Sequence, residues 1–144
     1  MDIAPSKRLT LAGARKIMAA ATKLAADAGI AASVVIVDGG GHLLLAERME
    51  GGRFHTMHSA LTKAACAASS RRPTAPQGAQ GQPLDAIHAI GLAVAAGSER
   101  WTAMEGGCPI LIDGECIGAV GVSGGSFEFD ASVAQRAASA IAAQ

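Results

Sequence analysis

Apolar residues recur at helical spacing early in the chain. Leu11, Ala14, Ile17, Met18, Ala21, Leu24, Ala25 and Ala28 line one face, with Arg15, Lys16, Lys23 and Asp27 opposite. Thr10 is placed to cap this helix and Gly29 to end it. A β-branched run over residues 33–37 and an apolar run over residues 42–49 flank Asp38-Gly39-Gly40-Gly41, which predicts a hairpin. Ala60, Leu61, Ala64, Ala65 and Ala68 predict a second helix from about Phe54 to Ser70, stopped by Arg71-Arg72-Pro73. Residues 73–83 form a polar loop, and a short third helix is expected from Leu84 to Ala96.

The last third of the chain repeats the hairpin-then-helix order. Residues 101–104 read as a strand and residues 108–112 as another. Asp113-Gly114 is a two-residue hairpin turn, returning into a strand over residues 115–123. Glycines at 118 and 121 within that strand predict close approach by another backbone or helix. A final helix is expected over residues 127–143, with Val133, Ala134, Ala137 and Ile141 inward. Strands that come in hairpin pairs make an antiparallel sheet with helices against it, an α+β layered architecture. A parallel βαβ arrangement would need a crossover helix between single strands.

At 144 residues the whole chain reads as a single domain. Half of the residues are apolar, enough for a substantial core and against disorder. Aromatics are only 3%, so a base-stacking nucleic-acid platform is not expected. Twelve basic and twelve acidic residues cancel, which speaks against a basic nucleic-acid surface or a polybasic membrane patch. Balanced charge also leaves homo-oligomer contacts open. No apolar run approaches the roughly 20 residues that span a bilayer, and the first residues lack the apolar stretch of a signal peptide. Cys66, Cys108 and Cys116 are odd in number and widely spaced. They read as reduced thiols in a cytoplasmic setting rather than a disulfide framework or zinc site.

Several residues are candidates for chemistry. His55 and His58 are neighbours on one helix face, with Ser59 and Lys63 continuing near it. An imidazole pair can move protons, ligate haem iron or hold a metal, or can simply face solvent at a helix start. Two histidines without a third ligand make no dedicated metal site, and Glu47-x-x-Glu50 is too generic to add one. Arg48, near the end of the first hairpin, offers a fork that clamps a carboxylate, or else pairs with Glu47 or Glu50. Lys63 among alanines can pair with an anion or act as a base. Glu105 beside Gly106-Gly107 can serve as a general acid or base if buried. Ser123-Gly124-Gly125-Ser126, with Glu128 just behind it, presents backbone N–H groups at a helix start, a natural anion cradle. Cys108 is a further nucleophile or thiolate candidate, while Cys66 and Cys116 read as packing residues. Neither a phosphate-binding Gly-Lys-Ser/Thr loop nor a dinucleotide fingerprint is present.

An ordered set of motifs resembles the GlcG/HbpS family. It comprises Leu9-Thr10-Leu11, residues 35–43 (Val-Ile-Val-Asp-Gly-Gly-Gly-His-Leu) and Glu47-Arg48-Met49. It continues with Lys63-Ala64, Arg72-Pro73-Thr74, residues 106–110 (Gly-Gly-Cys-Pro-Ile), Asp113-Gly114-Glu115 and residues 118–125. The resemblance implies a five-stranded antiparallel sheet flanked by helices, homo-oligomers, and haem binding or degradation. The same domain forms the C-terminal part of some corrinoid adenosyltransferases. Two functions are then open. One is a ligand-binding homo-oligomer taking haem or a related tetrapyrrole, with His55 or His58 as axial group and Arg48 on the propionates. The other is a cofactor-independent enzyme of organic-acid or aromatic catabolism. There Arg48 and the Ser123–Ser126 cradle would hold a small anionic substrate while His58, Lys63 or Glu105 transfers protons. An accessory subunit without chemistry is the remaining alternative.

Overall fold

The computed structural model describes residues 1–142. Helix α1 spans Leu11–Asp27, followed by strands β1, Ser33–Asp38, and β2, Leu43–Arg48. Helices α2, Phe54–Ser70, and α3, Ala86–Ala96, come next. Strands β3, Gly107–Ile112, and β4, Glu115–Ser123, precede helix α4, Phe127–Ala138. The four strands form one antiparallel sheet in the order β2-β1-β4-β3. No helix among the described residues is long and apolar enough to cross a membrane.

Local chemistry accounts for most element ends. Thr10 Oγ1 accepts the Gly13 N–H at 3.1 Å and caps α1. Asp113 and Gly114 adopt φ of 51° and 79°, the left-handed pair a two-residue hairpin turn requires. Asp38 holds the first hairpin turn by accepting from the backbone N–H of Gly40 and His42 at 2.9 and 3.0 Å. Arg71 takes the left-handed position that ends α2, at φ 60°. Helix α4 stops at Ala138, short of the expected end: residues 139–142, Ile141 among them, leave the helix through a turn in which the Ser139 and Ala140 N–H groups bond the Arg136 and Ala137 carbonyls, and residue 143 lies outside the described residues.

Both faces of the sheet are covered. On one face Val34, Ile36, Ile110, Val120 and Val122 pack against α1 and α4. On the other, Val35, Val37 and Ala119 meet Ala60, Ala64, Ala67 and Ala68 of α2. Alternating residues of β1 thus serve two cores, which is why the strand reads as an unbroken apolar run. Gly121 is the contact point with α2: a Cβ there would strike the Ala60 carbonyl oxygen. A Cβ on Gly107 would strike the Lys63 carbonyl in the same way. The close approach expected from glycine in β4 is therefore the seat of α2 on the sheet.

The described residues contain four strands, not five. Residues 101–104, expected as a strand, run irregularly over α2. The Thr102 carbonyl accepts the Cys66 thiol and its hydroxyl accepts the Met104 N–H, so local and helix-facing bonds replace strand pairing. Helix α3 begins two residues later than expected, at the Asp85 cap, whose carboxylate accepts the His88 N–H at 2.8 Å.

Candidate functional site

A cleft of about 510 Å³ opens beside the N-terminal half of α2, on the side that does not pack on the sheet. Its walls come from Arg53 and the following residues of α2, from Ala89, Ile90 and Ala93 of α3, from residues 101–104, and from the β4–α4 turn. His55, His58 and Ser59 all line it, on the face the helical spacing assigns them. Both histidines are exposed, and neither ring makes a hydrogen bond among the described residues. Ile90, Trp101, Met104 and Phe127 give the cleft an apolar wall.

Its floor is a buried ion pair. Lys63 is 5% exposed and Asp130 2% exposed. The Lys63 ammonium donates to Asp130 Oδ2 at 3.2 Å and to the Val122 carbonyl at 2.9 Å. The other oxygen, Asp130 Oδ1, accepts the Gly125 N–H at 2.9 Å. Gly106, at φ 123°, makes room for this pair: a Cβ there would come within 2.9 Å of the Lys63 nitrogen. The Gly106-Gly107 step is thus shaped around Lys63 from both its backbone and its ammonium.

This arrangement changes the expected anion cradle. Ser123, Gly124 and Gly125 line the cleft, but the Gly125 N–H is already given to Asp130. Ser126 caps α4 by accepting the Phe129 N–H at 3.1 Å, and Glu128 is exposed on the first turn. Neither Ser126 nor Glu128 lines the cleft. An acidic first turn and internally bonded N–H groups leave little of the cradle for an outside anion.

Arg48 and Glu105 also stand apart from the cleft lining. The Arg48 guanidinium donates to the Gly52 carbonyl at 2.7 Å, bracing the turn that leads into α2. Glu105 is half-buried between Met104 and Gly106. Cys108 is buried and its thiol is pushed up by that burial, the opposite of what a reactive thiolate needs. Burial likewise pushes up Cys66.

Three features of the cleft were not anticipated: Asp130, Arg53 and the apolar wall. Asp130 had a signal. It lies three and four residues before Val133 and Ala134, which places a carboxylate on the inward stripe of α4. A buried acid on such a stripe demands a cationic partner, and Lys63, beside the Ala60–Ala64–Ala67 stripe, answers it.

Comparisons with known proteins agree with this architecture. A family model described as "Haem degrading protein HbpS-like" matches residues 9–139. Protein GlcG of Escherichia coli is 34% identical over 110 residues, covering 76% of this chain and 77% of that protein. The crystal structure of Klebsiella pneumoniae protein ORFY is 33% identical with a TM-score of 0.83, over 97% of this chain and 95% of that one. The crystal structure of a PduOC–haem complex is 28% identical with a TM-score of 0.79, over 94% of this chain and 96% of that one.

Proposed function

The chain belongs to the family of haem-degrading HbpS-like proteins, and from that premise we propose that it is a homo-oligomeric binding protein whose cleft takes haem or a related tetrapyrrole. The make-up of the cleft carries this reading. Two free imidazoles, His55 and His58, face an apolar wall of Ile90, Trp101, Met104 and Phe127. A flat macrocycle needs such a wall, and its iron needs a neutral imidazole. The volume falls within the range of small-molecule and cofactor sites, about 300–1,000 Å³. The haem complex of the relative PduOC supports the same ligand class. His55 or His58 would supply the axial nitrogen, and bound haem would supply an iron centre for redox or ligand chemistry. The wall residues exclude water, and the Lys63–Asp130 pair holds the floor in place.

Helix α3 supports self-association. It carries no buried residue, and Ile87 and Val94 are 81% and 76% exposed. An uncharged helix with bare aliphatic side chains matches a second copy of itself better than water. The free cysteines fit a reducing, cytoplasmic setting. Haemin titration of the purified protein, followed at the Soret band, tests the ligand. A saturable shift with one haem per protomer is expected, lost in either His55→Ala or His58→Ala. An unchanged spectrum in both variants overturns the axial assignment.

A second reading rests on the floor of the cleft. Lys63 and Asp130 line the same cleft as His58, a grouping that suits proton transfer on a small organic acid without a cofactor. Turnover of carboxylic acids in the absence of haemin, abolished by His58→Ala, would favour it.

A further inference from the structure

Five ionisable side chains line the cleft: Arg53, His55, His58, Lys63 and Asp130. Lys63 and Asp130 neutralise one another at 3.2 Å. Arg53 is different. Among the described residues it makes no ion pair, and its guanidinium makes no hydrogen bond. It is the one permanent charge of the lining with nothing to balance it. Arg48, five positions earlier, has its guanidinium committed to Gly52. The braced turn from Arg48 to Gly52 is what delivers Arg53 to the rim.

The fold gains nothing from an arginine here. Arg53 is the N-cap residue of α2, and its side chain makes no capping bond. Serine, threonine, asparagine and aspartate are favoured at that position, and a cation there opposes the helix dipole. The first turn of α2 contains no acidic residue to offset it. An exposed, unpaired guanidinium beside two imidazoles and an apolar wall makes a site for a carboxylate carried on a ring system.

We infer that Arg53 is the carboxylate-reading residue of the cleft, and that the ligand class is an apolar ring bearing at least one carboxylate. The guanidinium donates two parallel N–H bonds to the two carboxylate oxygens, while the ring lies against Ile90, Trp101 and Phe127. This inference rests on the proposed ligand cleft and names the group by which the ligand is recognised. For haem, that group is a propionate.

The test compares wild type, Arg53→Ser and Arg53→Lys with haemin and with haemin dimethyl ester, whose carboxylates are masked. Arg53→Ser should weaken haemin binding at least tenfold, and Arg53→Lys should weaken it severalfold because an ammonium lacks the fork. Ester binding should be the same in all three proteins. The thermal midpoint of Arg53→Ser should be equal to or above wild type, since serine is the better cap. Undiminished haemin binding by Arg53→Ser, or equal loss of haemin and ester, overturns the inference. If wild type binds neither compound, the haem reading fails and benzoate becomes the probe. Saturable benzoate binding lost in Arg53→Ser then upholds the inference, and its absence in wild type overturns it.

Discussion

Helices α2 and α3 invert the usual relation between composition and place. Helix α2 contains Lys63 and buries it; α3 contains no Lys, Arg, Asp or Glu and buries nothing. Helix α2 lies across the sheet, with the Ala60 carbonyl over Gly121 and the Lys63 carbonyl over Gly107. In helix α3 Ala89 and Ala93 alone are half-buried, on the side that lines the cleft. Hydrophobicity supplies a driving force for burial but does not choose the surface that does the burying. That choice depends on shape. Small side chains and glycines let α2 approach the sheet, whereas Ile87, Ile90, Leu92 and Val94 of α3 stay exposed, with no groove taking them among the described residues.

The largest test of this contrast breaks the buried pair. Lys63→Ala should destabilise the protein by about 3–5 kcal/mol, because it strands the Asp130 carboxylate in the interior. The double variant Lys63→Met/Asp130→Leu should recover most of that loss. Denaturant midpoints give both values, and a loss below about 1 kcal/mol in the single variant would mean the pair is solvated.

Next comes the seat of α2. Gly121→Ala should cost about 1–3 kcal/mol, as its methyl meets the Ala60 carbonyl and forces the helix off the sheet. Chemical denaturation measures it, and an unchanged midpoint would show that α2 can shift without cost.

Helix α3 should behave in the opposite way. Ile87→Asp with Val94→Asp should change protomer stability by no more than about 0.5 kcal/mol, as expected for exposed positions. The same change should lower the assembly state seen by light scattering, since the outer face of α3 is the proposed contact between copies. A large loss of protomer stability with unaltered mass would place α3 in a core instead.

The smallest effect is local and pH-dependent. The Asp85 carboxyl is held below its usual range by the His88 backbone N–H and then by the His88 side chain. A carboxylate with a depressed folded-state pKa stabilises above its unfolded value, about 3.9, and loses that contribution as pH falls through the folded value. The start of α3 should therefore fray in acid, visible as movement of the His88 amide resonance. Asp85→Asn keeps a cap acceptor and should remove the dependence. An amide that moves equally in the variant would assign the titration to another group.

Elements whose cause lies within a few residues were legible before the fold. Thr10 capping α1, Asp113-Gly114 turning β3 into β4, and the exact run of α2 from Phe54 to Ser70 all follow from local bonds and spacing. The helix face that carries His55, His58, Ser59 and Lys63 into one cleft was equally readable, since helical geometry fixes side-chain direction. Residues 101–104 were not, because their sequence is compatible with a strand and the bond that ties them to α2, from the Cys66 thiol to the Thr102 carbonyl, joins residues 36 apart.

The pairing of groups distant in sequence was decided by tertiary structure alone. Lys63 and Asp130 are 67 residues apart, and nothing local brings them to 3.2 Å. The two nearby arginines are told apart by a local bond and by the cleft that the fold builds beside the second. Arg48 and Arg53 have the same chemistry and both flank the same turn, yet one bonds Gly52 and the other lines the cleft with no partner among the described residues. Residue type and periodicity determine which groups are available and which way each points along its own element. The distance between elements, set by how glycine and alanine let them pack, determines which groups meet.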